Sequence, residues 1–581
     1  LKLNTKINDL AELSGFDAVY VATGKNGAEF DLKRSPQGGF LLGGSVLGVD
    51  KMTALAQGLS AVNPIEWWLK TGTTKGFEEF PATKMQIDEE ALPYAGPVVA
   101  SEDGVYSREE AMAEAQRCTG CTCEFCHRAC DFLDIFNLQP KRFKDQIDTT
   151  VYPKNVDGMG HTVSRLMFAC DHSGHCAEAC PENIDFDGFI LQSKRIMQQK
   201  GSMPWAFSDY WLRDFAHATG GNTSLCKMPP HAEKAELVYF PGCQLGASDP
   251  AYVSSSYAFL LEQNPATALM LNCCAAPPHW CGKEKMHEKA IGKLRADWES
   301  LGKPKMVFAC PTCRKMFTEF LPEIPAEFIY EMPGLKELAA GLSNGEKISV
   351  FDPCSSRYFP KAQDAVRELL TAAHYELDAL PKEKAKAKCC SWGGHIAIAN
   401  PDFADKVTKR RIEQSDKPYV AYCSNCRDIF AKAGKPTQHI FDILFGLNDT
   451  NRLPPLISNR RVNREKLQKE LLKAFWNIEK KAVQEEPAFK LKIPDALREQ
   501  LSDEYILEKD ILKTIQHCEE SKQKMLDPES GHYLGHLRIG YATYWVEYEA
   551  IEQGFRLINA YSHRMQIEGE QGVEECYATE Q

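Results

Sequence analysis

The sequence contains no long hydrophobic run and no excess of basic residues. Its longest apolar stretch, GFLLGGSVLGV at residues 39–49, is interrupted by glycines and falls short of the roughly 20 apolar residues that span a membrane. With 68 Lys and Arg against 80 Asp and Glu, the formal net charge is -12, which argues against nucleic-acid binding. These absences predict a soluble chain with neither a membrane span nor a nucleic-acid partner.

The N-terminus has neither an initiator methionine nor the charged and apolar regions of a secretion signal. We therefore expect the chain to be cut from a longer polypeptide and to work in the cytoplasm. Of its 22 cysteines, all but Cys518 and Cys576 lie between Cys118 and Cys426, mostly in short clusters. Such clusters indicate metal or redox sites in a reducing compartment rather than a disulfide scaffold.

Two pairs of cysteines are adjacent in sequence, Cys273-Cys274 and Cys389-Cys390. Neighbouring Cα atoms lie about 3.8 Å apart, which is less than the roughly 4.4–6.8 Å that a relaxed disulfide spans. A metal-sulfur cluster that takes ligands from both residues explains the pairs better than a disulfide does.

Both pairs belong to an internal repeat over residues 236–447. Each copy contains a strand ending in one cysteine, a helix, the adjacent pair, and a second strand ending in C-x2-C, as in ELVYFPGC and KMVFACPTC. Two strand-helix-strand units are the simplest explanation. The first set is Cys243, Cys273, Cys274, Cys310 and Cys313, and the second set is Cys354, Cys389, Cys390, Cys423 and Cys426.

A further group of cysteines precedes the repeat, in a region predicted to be helical. Residues 118–130 have the spacing C-x2-C-x4-C-x3-C, and residues 170–180 have C-x5-C-x3-C followed by proline. Two such runs are typical of two [4Fe-4S] cubanes, in which the last cysteine of one run ligates the other cluster. Structural zinc, which also uses paired cysteines, is the alternative.

This region resembles the N-terminal domain shared by the small subunit of glutamate synthase and dihydropyrimidine dehydrogenase. A ferredoxin register would place a cysteine at Ser173, and its absence favours this resemblance. The resemblance implies a first cubane on Cys118, Cys121, Cys126 and Cys180, and a second on Cys130, Cys170 and Cys176. The second cubane then needs a fourth ligand, for which Cys123 and Gln192 are the two candidates.

The repeat resembles the paired cysteine-rich domains in the B-type subunit of heterodisulfide reductase. In that family each five-cysteine set binds a noncubane [4Fe-4S] cluster, so the resemblance implies one such cluster on each set, with all ten cysteines catalytic. Adjacent cysteines fit because one thiolate bridges two irons while its neighbour binds one. Ordinary cubanes or zinc on the C-x2-C pairs are the alternative, but they leave the adjacent pairs unexplained.

The N-terminal segment resembles the end of a pyridine nucleotide-disulfide oxidoreductase domain. VYVATG, ending at Gly24, matches its strand-to-glycine element, and GFLLGGSVLGV corresponds to its second flavin-contacting strand. This chain has Gly44-Ser45 where the family normally has Gly-Asp, and the fingerprint G-x-G-x-x-G is missing. Gly24, Gly44 and Ser45 are the flavin contacts implied, with FAD bound if the missing upstream half is present.

Other residues near the repeat have a functional and a structural interpretation. His279, Lys283 and His395 flank the adjacent cysteine pairs and could donate protons to a leaving thiolate, although such residues more often pack or contact solvent. Cys281 is interpreted as a buried thiol with a lesser substrate-side role, and Cys226, Cys518 and Cys576 as inert. The aromatic residues Tyr541, Tyr544, Trp545 and Tyr548 fit a core better than a docking face.

The predicted fold is α/β, with a helical dicluster ferredoxin-like domain, two tandem α/β cysteine-rich domains and a small α+β C-terminal domain. The predicted boundaries are 1–72 (end of a FAD/NAD(P)-binding domain), 73–106 (linker), 107–200 (dicluster domain), 201–235 (linker), 236–345 and 346–447 (cysteine-rich repeats) and 448–581 (C-terminal domain).

The predicted function is that of an iron-sulfur oxidoreductase of anaerobic or facultative metabolism. Electrons would pass from flavin or NAD(P)H through two cubanes to two noncubane clusters, which reduce a disulfide or other two-electron acceptor, with other redox subunits or an electron carrier as partners. The alternative is a non-catalytic subunit that relays electrons to a partner protein or quinone pool. An open pocket between Cys274 and Cys390 would favour the enzyme, and a sealed core the relay.

Overall fold

A computed structural model describes residues 7, 10–24, 40–73, 98–99, 106–116, 125–152, 163–180, 184–447, 451–480 and 489–565. The chain divides into two compact units, Leu1–Thr122 with Cys180–Ile184, and Cys123–Ala179 with Asp185–Gln581. None of the described helices combines the length and the apolar character needed to cross a membrane.

The described residues of the first unit form a short parallel sheet and three α-helices. Val19–Val21 pairs in parallel with Phe40–Leu42, as the apolar β-branched pattern predicts. Helices Lys51–Ser60 and Val62–Thr71 follow. Helix Arg108–Gln116 begins with a capping box: the Glu110 backbone N–H donates to Ser107 Oγ (3.2 Å), and the Ser107 N–H donates to the Glu110 carboxylate (2.8 Å).

The second unit begins with short helices around cysteines. They pack around buried Phe132, Phe143 and Phe186, and the same core contains Ile396 and Phe403 from the second repeat. The helical region and the second repeat are therefore one packed body. The helices of the helical region are Phe125–Ala129, Asp131–Ile135, Pro140–Val151, Ser164–Met167, His175–Ala179 and Phe186–Gln199.

The first repeat is built on a five-stranded sheet. Its strands lie in the spatial order Leu225–Lys227, Thr267–Leu271, Leu237–Phe240, Lys305–Phe308, Ala326–Phe328. All neighbours are parallel except the first pair. The main helices are Pro250–Gln263, Ala276–Trp280, Glu284–Ser300, Pro311–Phe320 and Leu335–Ala339.

The second repeat has the same topology without the antiparallel edge strand. Its parallel strands lie in the order Glu376–Leu377, Lys347–Phe351, Tyr419–Ala421, Thr437–His439. The predicted strand-helix-strand units are thus present in both halves. The helices are Pro360–Ala372, Ile396–Ala399, Pro401–Ile412, Ser424–Lys432 and Ile440–Phe445.

Residues 201–235 are not the linker that the sequence predicts. Helix Asp209–Thr219 is buried, with Leu212 inaccessible to solvent, and Leu225–Lys227 completes the first sheet by pairing with Thr267–Leu271. The sequence does not predict a buried helix here because Asp209, Arg213 and Asp214, which are buried in the structure, lie among its apolar residues.

Within residues 451–480 and 489–565, the C-terminal region combines a five-stranded sheet with three helices. Strands Lys524–Leu526, Tyr533–Ile539, Ala542–Ile551 and Gly554–His563 form an antiparallel meander, and Lys490–Lys492 joins its edge in parallel. The chain turns at Gly540, whose φ is 61°, between the second and third strands of this meander. Tyr544 and Tyr548 are buried in the core, as predicted. The helices are Ile457–Trp476, Asp495–Asp503 and Glu508–Ser521.

Candidate functional site: two five-thiol sets and the cavity beside the second

The first five cysteines lie at one edge of the first sheet. Cys243, the Cys273-Cys274 pair and Cys310 each follow the carboxyl end of a parallel strand, and these ends meet at the same edge. Helix Pro311–Phe320 begins immediately after Cys310 and contributes Cys313. Side-chain interactions between neighbouring thiols shift their pKa values along the order Cys243, Cys273, Cys274, Cys313, Cys310.

The second set repeats this arrangement. The thiol interactions follow the matching order Cys354, Cys389, Cys390, Cys426, Cys423, and every described cysteine is free of a disulfide. The structure therefore brings each predicted set together. Five thiols held close without a disulfide form a donor set that fits an iron-sulfur cluster.

The backbone after each adjacent pair adopts a left-handed conformation. Ala275 has φ 64° and Ser391 has φ 96°, values that non-glycine residues rarely take. At Gly242 (φ 85°), a Cβ would lie 3.0 Å from Cys313 Sγ. Such strain persists where surrounding structure fixes it, which fits a site that must aim neighbouring thiols at one point.

A buried ion pair fastens helix Ile457–Trp476 next to the first set. Arg464 donates two hydrogen bonds to the Asp214 carboxylate (2.7 and 2.8 Å) and one to the carbonyl oxygen of Cys243 (2.9 Å). Burial alone would raise the pKa of Asp214, but Arg464 and Arg461 hold it far below its usual value. Sequence reasoning missed this clamp because its members are distant in the chain.

A cavity of about 280 Å³ opens beside the second set. All five of its cysteines line the cavity, and none of the first set's cysteines is among the described lining residues. The opposite wall includes Thr312 and Lys315 of helix Pro311–Phe320, together with His279 and Trp280. An open pocket between Cys274 and Cys390 was expected for an enzyme, and a sealed core for a relay. The open cavity reaches Cys390 but not Cys274, so the expectation for an enzyme is met in part.

The described lining of this cavity is strongly acidic. Lys315 is its one lysine, against five carboxylates. Glu178, Asp185 and Glu319 are exposed and mark the side open to solvent. Although Glu319 as a residue is exposed, partial desolvation of its carboxyl at the cavity raises its pKa, the nearby carboxylates Asp187 and Asp185 add to this, and Lys315 opposes them. The carboxylates are Asp171, Glu178, Asp185, Asp187 and Glu319.

A buried chain of polar groups runs along one wall. His172 Nδ1 contacts the Asp187 carboxylate, and Lys194 Nζ donates to His172 Nε2 (2.9 Å) and to the carbonyl oxygen of Trp280 (3.1 Å). Burial and the charge of Lys194 lower the pKa of His172, although Asp187 opposes them. These groups were not predicted, although His172 lies between the cysteines of the second run.

A second, small cavity is lined by Cys130, Cys170 and Cys176, the three residues predicted to share a cubane. Cys389 of the second set lines the same cavity. The chains approach closely there: a Cβ at Gly394, which has φ 61°, would overlap the carbonyl oxygen of Cys170. The helical region and the second set are thus in direct contact.

The residues predicted as proton donors, and the predicted ligand Gln192, differ in their surroundings. His395 stacks on Trp211 at 4.1 Å, and Lys283 donates to Tyr541 Oη at 3.0 Å; neither lines the large cavity. His279 does line it, and burial, with His287 nearby, lowers its pKa to about 3. Gln192 is exposed and does not line the cavity of Cys130, which removes it as a ligand there.

The remaining predicted residues divide between the two units and the undescribed residues. Cys126 is half-buried in the second unit, whereas Cys180 belongs to the first. In the first unit, Gly24 and Gly44 have positive φ (82° and 83°), and Ser45 begins a short 3-10 helix. Cys118, Cys121, Cys123 and Cys576 lie outside the described residues.

Buried Cys281 and Cys518 and half-buried Cys226 lie outside both thiol sets. Cys281 Sγ contacts the carbonyl oxygen of Pro278 at 3.4 Å.

Trp545 stacks on Tyr561 and donates to His563 Nε2 (2.6 Å), so it lies on the face of the sheet opposite Tyr544.

Comparison with known proteins assigns both cysteine regions. Residues 108–185 match a 4Fe-4S dicluster domain, and residues 237–318 and 348–430 each match a cysteine-rich domain. The chain is 23% identical over 287 residues to the D-type subunit of dihydromethanophenazine:CoB–CoM heterodisulfide reductase from Methanosarcina mazei, covering 44% of this chain and 69% of the relative. It is 21% identical over 367 residues to an uncharacterized iron-sulfur protein of Methanocaldococcus jannaschii, covering 59% and 71%.

These domains define the class: the chain is an iron-sulfur electron-transfer protein with a dicluster domain followed by tandem cysteine-rich domains. Within that class it is homologous to the D-type subunit of heterodisulfide reductase and is a heterodisulfide reductase-like protein. The predicted resemblance to this family is confirmed, although these relatives are D-type subunits and the repeat was compared with the B-type subunit.

Proposed function

We propose that the protein is an oxidoreductase that reduces a small disulfide at the second five-thiol set. The observation that carries the proposal is the cavity bounded by Cys354, Cys389, Cys390, Cys423 and Cys426. The cavity has to hold both a cluster on these thiols and the acceptor. Its volume of about 280 Å³ lies near the lower end of roughly 300–1,000 Å³ for small-molecule sites, so the acceptor is small.

We propose that two cubanes and two noncubane clusters are bound. Each cubane would have four protein ligands, mostly cysteines, and each noncubane cluster would be held by the five cysteines of one set. The clusters would supply one-electron storage and transfer. We propose that a flavin, reduced in a two-electron step such as hydride transfer from a reduced nicotinamide, would pass the electron pair to the clusters one electron at a time, with Gly24, Gly44 and Ser45 as flavin contacts. Reduction then breaks the S–S bond, consumes two electrons and two protons, and releases two thiols.

The entry route we propose runs from the cubane of Cys130, Cys170 and Cys176 to the second set, because Cys389 lines the same small cavity. Glu319 is the proton donor we propose at the cavity, since its raised pKa lets it carry a proton closer to neutral pH. Other redox subunits would deliver electrons to the cubanes, as in an assembly of which the related D-type subunit forms one part.

The acidic lining predicts the charge of the acceptor. Because carboxylates outnumber lysines around the cavity, a cationic disulfide is expected to react about 10-fold faster than an anionic one of the same size, and salt is expected to narrow the difference. The measurement uses anaerobic protein, reduced viologen as reductant, and cystamine, a neutral disulfide and dithiodipropionate as acceptors.

The matched variants are Glu178→Gln, which removes a carboxylate at the cavity mouth, and Glu288→Gln, an exposed glutamate of helix Glu284–Ser300. Only Glu178→Gln is expected to reduce the preference for cystamine. Failure to reduce any of the three disulfides would refute the proposal, and a preference for the anion would refute the electrostatic argument.

Gly394 tests the proposed entry route. Gly394→Ala is expected to push the second set away from Cys170, because the added Cβ overlaps that residue's carbonyl oxygen. A wider gap between the two clusters slows electron transfer between them. Freeze-quench EPR after mixing with reductant should show normal cubane reduction and slowed reduction of the second set.

The control for this experiment is Gly292→Ala, since a Cβ at this helical glycine meets no atom within 4 Å. It is expected to keep both reduction rates. Equal rates in Gly394→Ala and the unsubstituted protein would mean that electrons reach the second set elsewhere.

One observation favours a second function, relay of electrons to a partner protein. None of the first set's cysteines lines the large cavity, and helix Ile457–Trp476 is clamped beside this set, which suits electron storage better than substrate binding. A pure relay would fail to reduce every small disulfide while still transferring electrons to a protein partner.

A further inference from the structure

The cubane predicted on Cys130, Cys170 and Cys176 has three cysteines and needs a fourth donor. Their small cavity is also lined by Ser173. Ser173 is buried, with 9% of its surface exposed. It therefore occupies the wall from which a fourth ligand would come.

The spacing of the second run points to the same residue. Residues 170–181 read C-x2-S-x2-C-x3-C-P, which is the ferredoxin run C-x2-C-x2-C-x3-C-P with serine at the second position. In that arrangement the last cysteine of the other run, here Cys130, joins the cluster. The structure places Cys130 beside Cys170 and Cys176, as this register requires.

The backbone of Ser173 is fixed from two sides. Its N–H donates to Asp171 Oδ1 (3.0 Å), and its carbonyl oxygen accepts a hydrogen bond from Arg357 Nη1 (2.9 Å) in the second repeat. A short side chain on a fixed backbone has little freedom to leave the cavity wall, which is the support that a ligand needs.

Other donors at the cavity are less suitable. The two oxygens of Asp187 are engaged, one by His172 and the other by the Gly174 N–H (3.1 Å). His175 lines the cavity, and its buried Nδ1 has no hydrogen-bond partner. His175 is thus the competing nitrogen donor, but it does not occupy the ligand position in the run.

We propose that Ser173 Oγ is the fourth protein ligand of this cubane, giving three thiolates and one oxygen. The inference rests on the second cubane proposed above and is independent of the acceptor. On binding, the hydroxyl releases its proton to water and its oxygen binds one iron. Because oxygen is a harder donor than thiolate, the cluster should have a lower reduction potential than an all-cysteine cubane and should lose that iron first on oxidation.

The test compares Ser173→Cys, Ser173→Ala and His175→Ala with Ser300→Ala, an exposed serine that donates to the carbonyl oxygen of Asp297. All are purified anaerobically, counted for iron, and followed by Mössbauer spectroscopy and EPR during a redox titration. Ser173→Cys is expected to raise the potential of one cubane and to protect it from conversion to a three-iron form. Ser173→Ala is expected to favour that form.

Unchanged spectra and potentials in both Ser173 variants, with the iron content retained, would overturn the proposal. The same holds if His175→Ala alone produces the three-iron form, because the imidazole would then be the ligand. Disulfide reduction is not a readout here, so failure of the proposed catalytic activity leaves this result unaffected.

Discussion

Cys426→Ala is expected to abolish disulfide reduction and to remove about four irons from each chain. Cys426 lines the large cavity and its thiol contacts both Cys390 and Cys423, so its loss breaks the centre of the second set. We expect the rate to fall by at least about 100-fold, because even replacing a group that hydrogen bonds to a metal ligand costs roughly 10–100-fold. Iron analysis and the viologen-linked disulfide assay measure the two effects.

The control is Cys226→Ala, which removes a half-buried thiol on the edge strand Leu225–Lys227. This variant should keep all irons and the full rate. If Cys426→Ala also kept its irons and rate, the second set would not hold a cluster, and the large cavity would have another purpose.

Arg464→Ala is expected to destabilise the second unit by about 3–5 kcal/mol, since it leaves Asp214 charged and buried without its main partner. Arg464 also donates to the carbonyl oxygen of Cys243, so the first set should lose iron at temperatures where the unsubstituted protein keeps it. Thermal unfolding under anaerobic conditions, with iron release recorded in parallel, measures both.

Lys466→Ala on the same helix is the matched control. Lys466 pairs with Glu470 at 3.6 Å, and both side chains are about half exposed, so at most about 1 kcal/mol should be lost. Arg464→Lys should fall between the two, because a lysine keeps the charge but not the paired hydrogen bonds. Equal stability of all three variants would show that the clamp does not fasten the helix.

The two five-thiol sets could be predicted because their geometry follows from local sequence. Cys243, Cys310, Cys354 and Cys423 follow apolar strands whose carboxyl ends meet at one edge of each sheet, and Cys313 and Cys426 lie on the helices that begin there. The adjacent pairs then identify the chemistry without knowledge of the packing. The resemblance to the glutamate-synthase-type domain grouped Cys130, Cys170 and Cys176, which line one cavity, although Gln192 proved to be exposed.

The groups around the sets could not be predicted, because they depend on packing between distant segments. Asp214 and Arg464 meet across the fold, and His172 contacts Lys194 through the geometry of a buried helix. The large cavity reaches the second set but not the first, and this difference has the same origin. Both repeats have the same cysteine pattern, and only the elements packed around them distinguish the two.

The central claim is that the ten repeat cysteines hold iron in addition to that of the dicluster domain. The most direct measurement is an iron and sulfide count on anaerobically purified protein, followed by EPR during a redox titration. Roughly sixteen irons per chain are expected, as for four [4Fe-4S] clusters, with EPR signals from both cubanes and both five-thiol sets. A count near eight, with cubane signals alone, would contradict it.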